Sequence, residues 1–220
     1  MFNVVRFPDI PASLANKTKY DGDDVFKALR LCFHDKCYIC ETKEPHDINV
    51  EHFISHRNKD KEKKFDWSNL YFVCGRCNNI KGTAFDNLLD CCDPSVDVYR
   101  SIRLLPPRTP RASSVQIEAK VQGDEAEKTV ELLSRIYNSS KTINKEISSE
   151  YLRRKIYQQI NKMQKYILIW YSDEMLDHEK RDALERIRLF IRSSAPYSGF
   201  ARDLLLEDEG LSFLIDELSD

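Results

Sequence analysis

The 220-residue sequence has no surplus of charge of either sign: 34 Lys and Arg stand against 36 Asp and Glu, a formal charge of -2 with a pI near 6.2. That balance excludes a uniformly basic nucleic-acid binder and leaves room only for a local basic face. Long hydrophobic runs are missing too. The longest, Tyr166–Tyr171, is far short of the roughly 20 apolar residues that span a bilayer, so no membrane association is expected. The opening MFNVVRFPDIP has neither the basic start nor the apolar stretch of a secretory leader, which points to a cytoplasmic, reducing setting. There is no internal repeat and no low-complexity tract. Beyond Cys92 the chain lacks cysteine altogether, and His178 is its only histidine. The length is enough for one domain or a small pair with a real core.

What is present is concentrated. All seven cysteines fall between Cys32 and Cys92, together with His34, His46, His52 and His56. An odd number of thiols in a reducing compartment argues against a disulfide framework. Cys37-Tyr-Ile-Cys40 and Cys74-Gly-Arg-Cys77 are CxxC pairs separated by 33 residues. Each suits a tight knuckle whose sulfurs converge on one tetrahedral ion, and together they complete a four-thiolate zinc site. Such a site is closed to water, hence structural and not catalytic. Cys32, Cys91 and Cys92 lack that spacing and read as buried thiols. His34 and His46 read as fold or surface residues.

Apolar periodicity supplies the coarse elements. Asp23–Phe33 reads as a short helix, Asn49–Ile54 and Asn69–Val73 as strands, and Asn78 to about Leu89 as a helix tolerating Gly82. Pro94, Pro106, Pro107, Pro110 and Gly123 make residues 93–123 a loop-rich connection. After 124 the pattern turns helical. Val130, Leu133 and Ile136 or Tyr137 mark one helix. Ile143, Ile147 and Tyr151 open a second, continued by Ile156, Ile160, Met163, Ile167 and Trp170. Leu184, Ile187 and Ile191 mark a third.

Between and after the knuckles stand Asn49-Val-Glu51-His52-Phe-Ile-Ser-His56, then Asp66-Trp-Ser-Asn69-Leu70, then Cys77-Asn78-Asn79-Ile-Lys81-Gly82. These spaced elements resemble the HNH nucleases, whose ββα-metal core carries a four-cysteine zinc in one subclass. The resemblance covers about residues 37–82. It implies an α+β fold: a small zinc-stabilised ββα-metal core embedded in a mostly α-helical chain, with a C-terminal helical domain. The implied segments are 1–36, 37–92 as the nuclease core, 93–123, and 124–220 as a partner-binding domain. It further implies a metal-dependent endonuclease cleaving phosphodiester bonds. His52 would be the general base and Asn69 would pin the loop between the strands. Glu51 and Asn78 would offer hard oxygens to Mg²⁺ or Mn²⁺, and Lys81 would meet phosphate. Asn78 stands where many members have His, so the motif here is H-N-N. Where the nearest branch has Pro and Lys after Glu-His-Phe, this chain has Ser55 and His56. His56 is therefore either an auxiliary phosphate contact or an exposed loop residue.

Residues 56–82, Arg76 among them, carry a net +4 beside this site, a phosphate-facing surface or a solvated loop. A second basic cluster, Arg100, Arg103, Arg108 and Arg111, lies in the proline-rich connection. Residues 201–220 run to -6 with Leu204–Leu206, Leu211, Phe213, Leu214 and Ile215 interspersed. They form either a partner-binding tail or a helix folded back on its own domain. In finer detail the motifs are similar to the PtuB branch, the nucleases of Septu and retron-associated anti-phage systems. That likeness implies a PtuA-type ABC ATPase as partner and, in retron systems, a reverse transcriptase with its multicopy DNA. DNA is the implied substrate, with RNA such as tRNA an alternative. A non-catalytic zinc-ribbon adaptor between an ATPase and nucleic acid is the competing reading.

Overall fold

The computed structural model describes residues 1–57, 59–139 and 148–218. In chain order the elements are α1 (Ala12–Ala15), α2 (Asp23–Cys32), β1 (Ile48–His52), α3 (Lys61–Lys64), a 3₁₀ turn (Trp67–Asn69), β2 (Leu70–Cys74), α4 (Gly75–Lys81) and α5 (Val98–Ser101). Then follow β3 (Ile102–Leu105), β4 (Gln116–Ala119), α6 (Asp124–Asn138), α7 (Ser149–Tyr171), α8 (Asp177–Ile191), α9 (Ser198–Leu206) and α10 (Phe213–Asp216). The fold is α+β, with two small antiparallel sheets in a largely helical chain.

The first sheet pairs β1 with β2, Glu51 opposite Tyr71 and His52 opposite Leu70. All five β2 residues are buried, as a continuous Leu-Tyr-Phe-Val-Cys run requires. On α2, Val25, Leu29 and Cys32 recur at helical spacing and bury against that strand. One apolar cluster then runs from Met1 through the sheet to Ile136, Ile156, Ile187, Phe200 and Leu214. Residues from all four segments of the sequence reading contribute to it.

The helical stripes of Leu133, Ile136 and Tyr137, of Ile156, Ile160 and Met163, and of Ile187 and Ile191 face that core. Ile143 and Ile147 lie outside the described residues. Two expectations need correction. The helix expected from Asn78 to Leu89 instead begins at Gly75 and ends at Lys81, because Gly82 takes φ 49 and its N–H closes on Asn78 O at 2.9 Å. Residues 83–89 follow as an irregular strap that buries Phe85, Leu88 and Leu89. The 93–123 connection also holds α5 and the β3–β4 pair, Leu104 opposite Ile117. Its prolines 106, 107 and 110 punctuate the connection between those strands, where no ladder hydrogen bond is lost. As for the C-terminal end, it folds back. Leu205, Leu211 and Leu214 are buried, while Asp203, Glu207 and Asp216 pair with Lys120, Arg103 and Arg100. Asp220 lies outside the described residues.

A buried ionic hub ties the first knuckle to the C-terminal helices. Glu41 follows Cys40 with φ 57, a left-handed conformation that costs a non-glycine residue about 1 kcal/mol. There its carboxylate accepts from the Met1 amine (3.0 Å), Lys36 Nζ (3.2 Å), Ser198 Oγ (3.0 Å) and Gly199 N (3.2 Å). Gly199 is needed for the approach, since a Cβ there would stand 2.5 Å from Glu41 Oε1. Lys36 Nζ also donates to Ser193 O (2.6 Å) and Ala195 O (2.7 Å). Burial alone would raise the Glu41 carboxyl, but the Met1 amine and Lys36 hold it at about 2. Burial instead draws Lys36 down to about 8 despite its carboxylate partner. The two partners therefore share unequally: the carboxylate is saturated with donors, whereas the ammonium has mostly exchanged water for carbonyls. Glu41→Gln leaves two buried cations without a counter-charge. It should cost about 3–5 kcal/mol in urea unfolding of the zinc-loaded protein, with a loss below 1 kcal/mol marking the hub as dispensable.

Candidate functional site

The four knuckle sulfurs converge. Sγ atoms of Cys37, Cys40, Cys74 and Cys77, all buried, lie within 4.8 Å of one another, and those of Cys40 and Cys74 are 3.9 Å apart. A tetrahedral ion with Zn–S bonds of about 2.3 Å requires sulfur–sulfur edges of about 3.8 Å, so the donor set fits zinc. The thiols of Cys37, Cys74 and Cys77 draw that of Cys40 well below its ordinary range, whereas burial pushes Cys77 up. Four converging sulfurs in a dry pocket favour a cation that takes their charge. Asp90, Cys91 and Cys92 make a second, looser grouping. Asp90 is engaged there by Tyr71 OH and Cys92 N, and the Arg6 guanidinium already supplies positive charge to Cys92. That set suits a cation poorly.

Eleven and twelve residues past Cys40, Glu51 and His52 stand at the end of β1. His52 Nε2 lies 3.0 Å from Lys64 O, an acceptor, so Nε2 carries the proton and Nδ1 keeps its lone pair. Among the described residues Nδ1 makes no hydrogen bond. The ring packs against Tyr20 (4.8 Å between centroids) and edge-on to His56 (4.4 Å). Burial holds the His52 imidazole below its usual range, against the opposing pull of the Lys64 carbonyl. The ring is therefore neutral at pH 7. Asn69 pins the loop that carries Lys64: its Nδ2 donates to Ile54 O and Lys63 O (3.0 Å each), and its Oδ1 accepts from Ile54 N at 2.7 Å.

Glu51 is 6% exposed. Its Oε1 meets Lys81 Nζ at 2.7 Å and its Oε2 accepts from Tyr38 OH at 3.3 Å. Burial pushes Glu51 up to about 7, with the Lys81 ammonium acting against it. Lys81 also donates to His52 O at 3.3 Å. Asn78 is half-buried and three residues before Lys81 on α4, hence on the same face. A carboxylate and an amide oxygen are the right chemistry for a hard divalent cation.

Residues 37–84 match the HNH endonuclease family model. The match opens on the first zinc-knuckle cysteine and closes just beyond α4, so it takes in both knuckles, β1, β2, α4 and its Gly82 cap. Neither a curated protein nor a solved structure matched the chain. The matched segment thus takes up under a quarter of the sequence, and one apolar cluster joins it to the rest.

Within the matched segment Glu51, His52, Asn69 and Lys81 come together, and His56 joins them through its ring contact with His52. Two expected nucleic-acid contacts are placed otherwise. Arg76 is 5% exposed and points inward, its NH2 donating to Ile136 O (2.7 Å) and Ser149 Oγ (2.9 Å), so it bolts α4 to α6 and α7. A buried guanidinium spent on the ends of two helices does not reach phosphate. Lys81, 1% exposed, is spent on Glu51. Three residues at the site carry no sequence signal. Tyr20 arrives from before α2, Tyr38 from inside a knuckle, and Asp86 from the strap, where it accepts from Ser55 N at 2.9 Å and faces Arg57 at 3.8 Å.

Two measurements check this geometry. Atomic emission should find a single zinc ion per chain, lost together with most of the helical signal in Cys74→Ser; an unchanged metal content would exclude the four-thiolate centre. The His52 ring protons should titrate by NMR with a midpoint below the ordinary histidine value of about 6.5. Because the folded state holds the neutral form, protonation on acidification works against folding.

Proposed function

We propose that the protein is a metal-dependent HNH endonuclease that hydrolyses phosphodiester bonds of nucleic acid. The observation that carries this reading is the His52 imidazole, neutral and bonded through Nε2 to Lys64 O, with Nδ1 left as a base. In the proposed reaction His52 Nδ1 takes a proton from a water. The resulting hydroxide attacks phosphorus in line, the opposite P–O ester bond breaks, and the leaving oxygen is protonated by solvent. Asn69 keeps the carbonyl that fixes the His52 tautomer in position. Glu51 and Asn78 would hold Mg²⁺ or Mn²⁺, which neutralises charge on the phosphate and leaving oxygen. His56 and the lysines of the Arg57–Lys64 segment, Lys64 at the site itself, supply the basic approach.

DNA is the favoured substrate and RNA, including tRNA, the alternative. We further infer an effector role in anti-phage defence beside a PtuA-type ABC ATPase, joined in retron systems by a reverse transcriptase and its multicopy DNA. The support is the motif likeness and a helical C-terminal part large enough to present a surface. A non-catalytic zinc-ribbon adaptor draws on one observation: both oxygens of Glu51 are already engaged.

Cleavage of labelled DNA and RNA by the zinc-loaded protein, alone and with its ATPase, separates the readings. His52→Ala should lower the rate by about 10³-fold while zinc content and circular dichroism stay unchanged. Undiminished cleavage by that variant would falsify the mechanism, and no cleavage by the unaltered protein under any of these conditions would favour the adaptor.

A further inference from the structure

The Glu51–Lys81 pair puts a cation of the chain itself where the nuclease reading wants a divalent ion. Lys81 Nζ stands 2.7 Å from Glu51 Oε1 and 3.3 Å from His52 O, at 1% side-chain exposure, and Tyr38 OH occupies the other carboxylate oxygen at 3.3 Å. A dication on Glu51 with this ammonium still in place would set three positive charges against one buried carboxylate, away from the water that screens them. The pair as it stands is electrically neutral. Lys81 is the last residue of α4, and its charge sits on a flexible four-carbon stem.

We propose that Lys81 is a resident cation that guards the metal site: a divalent ion reaches Glu51 and Asn78 only by exchange with the Lys81 ammonium. This deepens the nuclease reading and rests on it for the identity of the site. Exchange raises the local charge by two, since the ion arrives while Lys81 stays charged on its stem. The anionic phosphate of a nucleic acid is the partner that balances it. Ion loading is therefore weak in the free protein and strengthened by substrate, which keeps a nuclease idle until nucleic acid is in the groove.

Calorimetric titration of the zinc-loaded full chain with Mn²⁺ tests the exchange without reference to cleavage. Lys81→Met should bind Mn²⁺ at least about tenfold more tightly than the unaltered protein, whereas Lys81→Arg should not gain, and Glu51→Gln should lose the site. Equal or weaker binding by Lys81→Met overturns the proposal, as does the absence of Mn²⁺ binding by every form. A second measurement needs no variant. Acylation by a succinimidyl ester, mapped by mass spectrometry, should spare Lys81 until Mn²⁺ is added and label it at saturating Mn²⁺, with exposed Lys59 labelled throughout. Continued protection of Lys81 at saturation overturns the exchange even where the protein cleaves nucleic acid. Labelling with Mn²⁺ but no cleavage upholds the exchange and removes the nuclease reading.

Discussion

The carboxylate of Glu41 sits one residue past the second knuckle cysteine, in a backbone conformation that few residues adopt willingly, and collects four donors, one from nearby Lys36 and three from the two distant segments at Met1 and Ser198–Gly199. Everything else in the architecture follows from having to close around it. Lys36 must leave water to reach it, so the carbonyls of Ser193 and Ala195 are brought in to complete the ammonium's shell. Gly199 must have no side chain, and α9 must begin where it does. Arg76, on the other knuckle, makes the corresponding connection to the end of α6 and the start of α7. The zinc knuckles are thus embedded on two sides in the helical part, and the nuclease motif is a face of one common core.

Charge follows the same logic. The near-zero net charge averages a basic stretch around the motif and an acidic C-terminal end. The acidic end does not stand free: Asp203, Glu207 and Asp216 are answered by Lys120, Arg103 and Arg100 from the β3–β4 hairpin and its flank. The Arg100–Asp216 pair is exposed on both sides and contributes little stability, whereas the carboxylate of Asp203 is buried. Among the described residues, the Arg57–Lys64 segment draws an ion-pair partner from outside itself at Arg57, which faces Asp86.

The sequence was most legible where chemistry fixes spacing. Two CxxC pairs, a Glu-His at a strand end and an Asn-x-x-Lys after the second knuckle each encode a geometry that few other arrangements would need; the four sulfurs gather in one cluster, and Lys81 meets Glu51 and the His52 carbonyl in another. Helical stripes were legible for the same reason: Ile156, Ile160 and Met163 obey a period. What escaped was set by contacts between residues far apart in the chain. Arg76 reads as a basic residue beside a nuclease motif, and only the position of Ile136 O turns it inward. Gly82 looked tolerable inside a helix, yet its positive φ makes it the end of one. Tyr20 meets His52 from thirty-two residues away, and no local pattern announces that.

Two buried glutamates separate the structural from the reactive in this fold. Glu41 and Glu51 are both removed from water, both face a buried lysine, and both accept from a hydroxyl. Glu41 gains in addition an α-amine and a backbone N–H, and its carboxyl is held at about 2. Glu51 has one ammonium and one phenol, and burial wins, carrying it to about 7. The difference is the number of donors, not the depth of burial. A carboxylate with all its lone pairs answered is a fixture. One held by a single lysine and a phenol, beside a neutral imidazole whose Nδ1 makes no hydrogen bond among the described residues, is the less completely answered of the two.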